Sequence, residues 1–363
     1  MTADRKTDKL VLYGKRFLLI IVTLVILLIA FVAISKALQF RDHNKGFVNE
    51  FINQQEDQND IVFIGSSHVY HAVFPMELWE KYGIASSNLA TSSQSFPMSY
   101  YTVKEAITLQ DPDYIVMDLY YAFSEDNYRD LPYVHMLTDN LKVTDPIKYE
   151  LIHDLVPRSD RLACYLPIVQ YHSRWLEWTK DDLIYEKKSY KGGLMLSDIK
   201  VCAAPQLISD HKSQPIPETA EMSLRKIINL CKETDTKLIL TAIPWAAAEH
   251  HLAYYNYIRD LAADEDVIYL DLFSKIKECG ILFETDFRDN GHMNISGGLK
   301  MSNYLGAYFR QEYHDIPDHR NDEAYSSWDE ELQQYHKKKS EVIKNYERKY
   351  KEVTGTEYES YYN

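Results

Sequence analysis

Hydrophobic positions follow three different rhythms along the chain. From Phe17 to Ile34 the run FLLIIVTLVILLIAFVAI carries no charge, glycine or proline. As a helix it would be roughly 27 Å long at 1.5 Å per residue, enough to cross the core of a bilayer. From Asp60 onward short apolar runs rich in β-branched residues take over, of the kind buried on both faces of a parallel sheet. They are DIVFIG (60–65), SSNLA (86–90), YIVMDLYY (114–121), KLILTAIP (237–244) and VIYLDLF (267–273).

Helical spacing fills the intervals. Pro75 opens and Gly83 closes PMELWEKYG, and Ser99–Leu109, 218–233 and 246–263 repeat the pattern. Strands alternating with helices predict an α/β domain with a doubly wound, mainly parallel five-stranded sheet and right-handed crossovers. Between about 122 and 216 the rhythm breaks, which predicts a largely helical insertion over the carboxyl ends of the strands. From Asp318 the tail is charged and tyrosine-rich. It reads as a long exposed helix that packs back by a Tyr, Val and Ile stripe. The expected organisation is a cytoplasmic N-terminus (1–16), an anchor (17–38), a juxtamembrane stalk (39–58), the α/β domain with its insertion (59–317) and the helical tail (318–363).

Charge sets the orientation. Arg5, Lys6, Lys9, Lys15 and Arg16 precede the apolar run, while Lys36, Arg41 and Lys45 follow it. The excess on the N-terminal side predicts a single-pass protein of the cell membrane, its N-terminus in the cytoplasm and its α/β domain outside. A cleaved signal would have a shorter apolar stretch and a small-x-small site, whereas Lys36 and Gln39 follow here. The formal charge of -14 argues against a nucleic-acid partner, which needs clustered cations. Cys164, Cys202, Cys231 and Cys279 lack CxxC spacing and suit buried thiols in a large core.

Two motifs carry chemistry. The first strand ends in Gly65-Ser66-Ser67-His68, which would expose a hydroxyl near free backbone N–H groups. After the last strand stands Asp289-Asn-Gly-His292, ahead of a helix. A carboxylate three residues before a histidine on a turn can fix the tautomer that lets Nε2 accept a serine proton. Each motif alone also describes an ordinary turn or helix cap. His68 and His71 lack an evident third ligand for a metal, and His250-His251 reads as a solvated helix face. Tyr171, Trp175 and Trp178 are spaced as a buried helical stripe, with a sugar-stacking platform as the alternative. Arg174 and Lys191 read as surface cations or contacts to an acidic ligand.

Together, a serine after the first strand and Asp-x-x-His after the last resemble the SGNH (GDSL-like) hydrolases, over roughly 58–121 and 218–310. The resemblance implies a flavodoxin-like three-layer sandwich with Ser67 as nucleophile, His292 as base and Asp289 as its orienting carboxylate. Ser66 stands where that family has Asp. Ser93 falls at the family's second block, where a backbone N–H faces the oxyanion. The third block, Gly-x-Asn-Asp, has no counterpart in Met117–Ser124, so Tyr120, Tyr121 or Gln94 would have to supply its donor. With GSS and a membrane tether, the chain is similar to extracytoplasmic SGNH-like proteins of polysaccharide modification, such as those of alginate O-acetylation and teichoic-acid D-alanyl transfer. That implies an acyl-ester hydrolase or O-acyltransferase acting on a cell-envelope glycan, working with a membrane-bound O-acyltransferase and needing no metal or cofactor. The alternative is a non-catalytic assembly or carrier-binding partner of such an acyltransferase. Hydrolysis and transfer share an acyl-enzyme, so sequence alone leaves them open.

Overall fold

In the computed structural model, residues 2–39, 43–124, 131–142, 144–178, 190–209 and 211–359 are described. The chain forms two compact units. One consists of α1 (Thr2–Leu38) with the segment 158–178, which holds α8 (Arg161–Tyr165), α9 (Pro167–Tyr171) and a 3-10 turn at Arg174–Glu177. Within α1, Leu12–Leu38 is the one helix among the described residues long and apolar enough to cross a membrane.

The other unit is built on a sheet of β1 (Ile61–Gly65), β2 (Ser86–Ala90), β3 (Tyr114–Asp118), β4 (Lys237–Thr241) and β5 (Ile268–Leu270). All four pairings are parallel and the order is β2-β1-β3-β4-β5. β1, β2 and β3 are buried along their whole length, as their apolar runs require. The expected fold class is the one found. Helices fall in two sets, as right-handed crossovers demand. α5 (Phe96–Gln110) packs on α10 (Glu218–Glu233), while α12 (Ile295–Glu312) packs on α3 (Ser67–Ala72) and α4 (Pro75–Tyr82). α11 (Glu249–Asp264) covers β5.

Three boundaries differ from expectation. The stretch expected as a stalk contains α2 (His43–Asn53), which packs on β2 with Phe47, Val48 and Phe51 fully buried. A helix with three such side chains gains its stability from the core, so it belongs to the domain. The charged tail does likewise: in α13 (Ser326–Thr354), Trp328, Tyr335, Val342 and Tyr346 join Trp79 and Phe74 in one apolar cluster. The packing stripe was legible, but the tail is no separate segment. The insertion is helical up to about residue 177: α6 (Leu131–Thr138) packs on α2 and α7 (Pro146–Leu155) on α5, and α8 and α9 belong to the first unit. These contacts put α6 and α7 among the flanking helices. Residues 125–130 and 179–189 of the insertion lie outside the described residues. From Tyr190 to Ser209 the chain runs as an extended strap. The four cysteines are buried free thiols.

Candidate active site

β1 delivers the nucleophile position. The strand ends at Gly65, where a Cβ would stand 2.7 Å from Val69 Cγ2 and 3.2 Å from Asp118 Cβ, so only glycine lets the chain turn this close beneath β3. Ser66 caps α3, its Oγ accepting from the His68 N–H at 3.4 Å. That leaves Ser67 on the first helical turn, partly exposed.

The histidine comes from a tight hairpin between β5 and α12. Phe287 and Met293 form an antiparallel bridge, and the Arg288 N–H donates to the His292 carbonyl at 2.9 Å. Asn294 caps α12, its Oδ1 accepting from Ser296 and Gly297 N–H, while its Nδ2 donates to the carbonyls of Thr285 and Asp198. Beneath the hairpin, fully buried Asp286 pairs with Lys300 at 2.7 Å. Two neighbours brace it from outside. The Ala246 N–H donates to the Asn290 carbonyl at 3.1 Å, and the strap supplies Lys200 N–H to Phe287 O at 2.8 Å and Cys202 Sγ 3.5 Å from Asp289 O.

This loop brings the three expected side chains into one hydrogen-bonded chain. Ser67 Oγ lies 2.7 Å from His292 Nε2, and His292 Nδ1 lies 2.8 and 3.0 Å from the two Asp289 oxygens. With the Nδ1 proton on the carboxylate side, Nε2 is left to accept the Ser67 O–H. Burial alone would raise the Asp289 pKa, but the hydrogen bond and charge of His292, with the N–H groups of Gly291 and His292, outweigh it. The carboxyl is held well below the usual carboxylate range. Asp289 is therefore an anion throughout the range in which histidines titrate.

The N–H groups of Ser67 and Ser93 meet no acceptor among the described residues. Ser93 sits at φ +53°, the left-handed region that costs an L-residue roughly 1–2 kcal/mol. A serine thus adopts a backbone conformation that glycine takes without strain. Its surroundings hold it there. Tyr121, in a 3-10 turn after β3, donates its O–H to Ser93 Oγ at 2.8 Å. Asn44 of α2 accepts from the Ser92 N–H at 2.8 Å, and Tyr70 shares a 2.8 Å hydrogen bond with Ser92 Oγ.

Gln94 does not serve as the missing donor. Its Oε1 accepts from the Thr91 N–H and O–H, and its Nε2 donates to Ser99 Oγ and Thr102 Oγ1, all at 3.1 Å, so it is consumed in tying its loop to α5. Tyr120 lies elsewhere too. It stacks on His68 at 4.2 Å, and its O–H stands 2.9 Å from where a Gly291 Cβ would be, against the histidine loop. Burial pushes its phenol up to about 12. Of the two tyrosines, Tyr121 is the one that reaches the Ser93 loop.

Two more histidines surround His292. The ring centroid of His71 is 5.0 Å from that of His292, and that of His68 is 6.2 Å away. His68 Nδ1 faces Asp118 Oδ2 at 3.5 Å, and both residues are buried. Asp118 also accepts the Ile243 N–H at 3.0 Å, tying β3 to the loop after β4. Among the described residues no cluster of three His, Cys, Asp or Glu side chains is arranged to hold a metal ion. His251 is not on a solvated face as expected. It packs 4.7 Å from Phe123 and from Trp245, and burial with the neighbouring His250 charge lowers it to about 4. Lys191 is no free surface cation, since its ammonium lies 4.2 Å over the Trp328 ring.

Asn44 and Cys202 were missed as site residues from sequence, whereas Tyr121 was one of the three donors it named. The signal for Tyr121 was its neighbour in the YY pair after β3. Asn44 and Cys202 carry none, because their contacts span distant loops.

The arrangement can activate a serine hydroxyl, and it leaves the N–H groups of Ser67 and Ser93 without an acceptor among the described residues. No family model matches the chain, and no curated protein does. Solved structures do resemble it. One is a protein assigned to the G-D-S-L lipolytic family from Desulfitobacterium hafniense DCB-2, with 9% identity, 70% of this chain and 99% of that chain covered, and a TM-score of 0.37. Another is the psychrotrophic esterase EstA from Pseudoalteromonas sp., with 8% identity, 70% and 98% covered, and a TM-score of 0.36. TesA follows at 8% identity, 69% and 98% covered, and a TM-score of 0.33. Likenesses this distant bear on neither substrate nor reaction. Within the chain itself, the five-stranded parallel sheet is the fold expected from the sequence, and the serine after β1 lies beside the Asp-x-x-His loop before α12.

Proposed function

We propose that the protein is a serine-dependent acyl-ester hydrolase or O-acyltransferase acting on a cell-envelope glycan outside the cell. It is held there by α1, with the N-terminus in the cytoplasm. The observation that carries the chemistry is the 2.7 Å approach of Ser67 Oγ to His292 Nε2, backed by Asp289. The apolar helix carries the location, and the excess of cations before it carries the orientation.

In the reaction, Ser67 Oγ attacks the ester carbonyl carbon while its proton passes to His292 Nε2. Negative charge on the carbonyl oxygen is met by the N–H groups of Ser67 and Ser93. Collapse breaks the ester C–O bond, and the leaving alkoxide takes the proton back from His292. The acyl group is now on Ser67. A sugar hydroxyl or a water molecule then gives its proton to His292 and attacks the acyl carbon; collapse breaks the bond to Ser67 Oγ, which takes the proton back from His292, and the product leaves as a new ester or a free acid. Tyr121 acts through Ser93, holding the strained backbone that aims its N–H. A membrane-bound O-acyltransferase is the partner class expected to supply the acyl group.

The test is acyl labelling of the full chain. Incubated with a radiolabelled acetyl ester and quenched in acid, wild type should retain label on Ser67, and Ser67→Ala should retain none. Equal labelling of both would overturn the assignment of the nucleophile. Wild type that neither labels nor turns over esters, alone or with candidate glycans, would favour a non-catalytic partner of the acyltransferase.

A further inference from the structure

The segment 158–178 gives the anchor unit a surface that the catalytic reading does not use. The spacing of Tyr171, Trp175 and Trp178 suggested a buried helical stripe, yet of these three only Tyr171 is buried. Trp175 is 64% exposed, Leu176 70% and Trp178 43%. Leu162, Leu166 and Val169 of α8 and α9 are exposed as well. Six large apolar side chains in one short segment is a concentration that soluble surfaces rarely present without a partner.

The same segment is fastened to the end of α1. α9 packs on that helix, and the Ile168 N–H donates to Ser35 Oγ at 3.1 Å. Arg174 was a candidate for an acidic ligand. Instead it is buried and donates to the carbonyls of Leu38 and Gln39, at 3.2 and 2.9 Å. A guanidinium at these final carbonyls satisfies groups that a helix end leaves unpaired and complements the helix dipole.

These fastenings fix the segment's depth. A bilayer core takes roughly 20 helical residues, so a helix that enters near Phe17 leaves the hydrocarbon near Lys36. Ser35, Leu38 and Gln39 then stand at the outer interface, and Trp175 follows Arg174 directly in the chain. Tryptophan is the residue that favours this level, where its ring is half in hydrocarbon and its N–H meets water. We infer that residues 162–178 form a membrane-seated collar on the anchor, with Trp175, Leu176 and Trp178 inserted among the lipid headgroups of the outer leaflet. The inference rests on α1 spanning the bilayer.

The experiment uses the full chain in nanodiscs of phosphatidylcholine carrying bromines near the headgroup, which quench nearby tryptophan. The chain has five tryptophans. Trp79, Trp245 and Trp328 are buried in the other unit, so quenching isolates Trp175 and Trp178. Wild type should lose up to about two-fifths of its emission relative to unbrominated discs, taking the five rings as equal emitters, and W175F/W178F should lose almost none. Circular dichroism of the double variant checks that it folds. A separate variant, Phe31→Trp, reports on the anchor itself. Quenching of that ring without quenching of wild type would overturn the collar and leave the anchor standing. Absence of both would overturn the anchor reading along with the collar. Native membranes that shield Trp175 and Trp178 when pure lipid discs do not would overturn the lipid assignment in favour of a protein partner.

Discussion

Tyr121→Phe removes one oxygen and tests how the oxyanion loop is held. The lost hydrogen bond to Ser93 Oγ has a net worth of about 1 kcal/mol. It opposes a left-handed backbone at Ser93 that costs roughly 1–2 kcal/mol. Removing it should let Ser93 relax toward ordinary backbone in part of the population, turning its N–H from the oxyanion. Complete loss of one oxyanion donor lowers turnover about 10²–10³-fold, so partial misalignment should lower kcat by about 5–10-fold with KM little changed. Glycine adopts the left-handed region without strain, so Ser93→Gly should keep near wild-type kcat and no longer need Tyr121. The assay is a double-mutant cycle on turnover of a chromogenic acetyl ester. Tyr121→Phe should cost several-fold in wild type and less than twofold when Ser93→Gly is already present. Equal losses in both backgrounds would refute the claim that Tyr121 works through Ser93.

Other expectations follow from the same geometry. Asp289→Asn should lower kcat by about 10³–10⁴-fold, because an amide leaves the histidine in the wrong tautomer; a loss under tenfold would remove Asp289 from the chain of proton transfer. Glu105, buried on α5, has its carboxyl raised to about 7, first by burial and then by the nearby Asp145 charge. A carboxyl raised in the folded state favours folding fully below its unfolded pKa and loses that contribution as pH climbs through about 7. Thermal melts should therefore show Glu105→Gln matching wild type near pH 4 and exceeding it at pH 8, by up to about 3 kcal/mol. A difference that does not change with pH would contradict this. Lys300→Met leaves Asp286 buried without its partner and should destabilise by about 3–5 kcal/mol in urea; an unchanged midpoint would contradict the role given to that pair.

The sheet was legible because buried parallel strands write themselves as short β-branched runs, and all five runs hold a strand. The candidate Ser67–His292–Asp289 chain was legible because Asp289 and His292 lie on one hairpin and Ser67 comes two residues after the end of β1. What escaped was set by contacts between distant segments. Polar flanks made 39–58 look like a stalk, although Phe47, Val48 and Phe51 are the residues that bury. The helical spacing of Tyr171, Trp175 and Trp178 gave no warning that the segment breaks into short turns with the tryptophans facing out. Gln94 had a suitable length for an oxyanion donor, but its hydrogen bonds are all spent on Thr91, Ser99 and Thr102. No local pattern distinguishes a side chain that faces a cleft from one that ties its own loop.

The central claim is that Ser67, activated by His292, is an acyl-accepting nucleophile. Its most direct measurement is turnover of a small chromogenic acetyl ester by the full chain, wild type against Ser67→Ala and His292→Ala, with folding checked by circular dichroism. Turnover is expected in wild type, and its loss in both folded variants. Turnover retained by Ser67→Ala would contradict the claim.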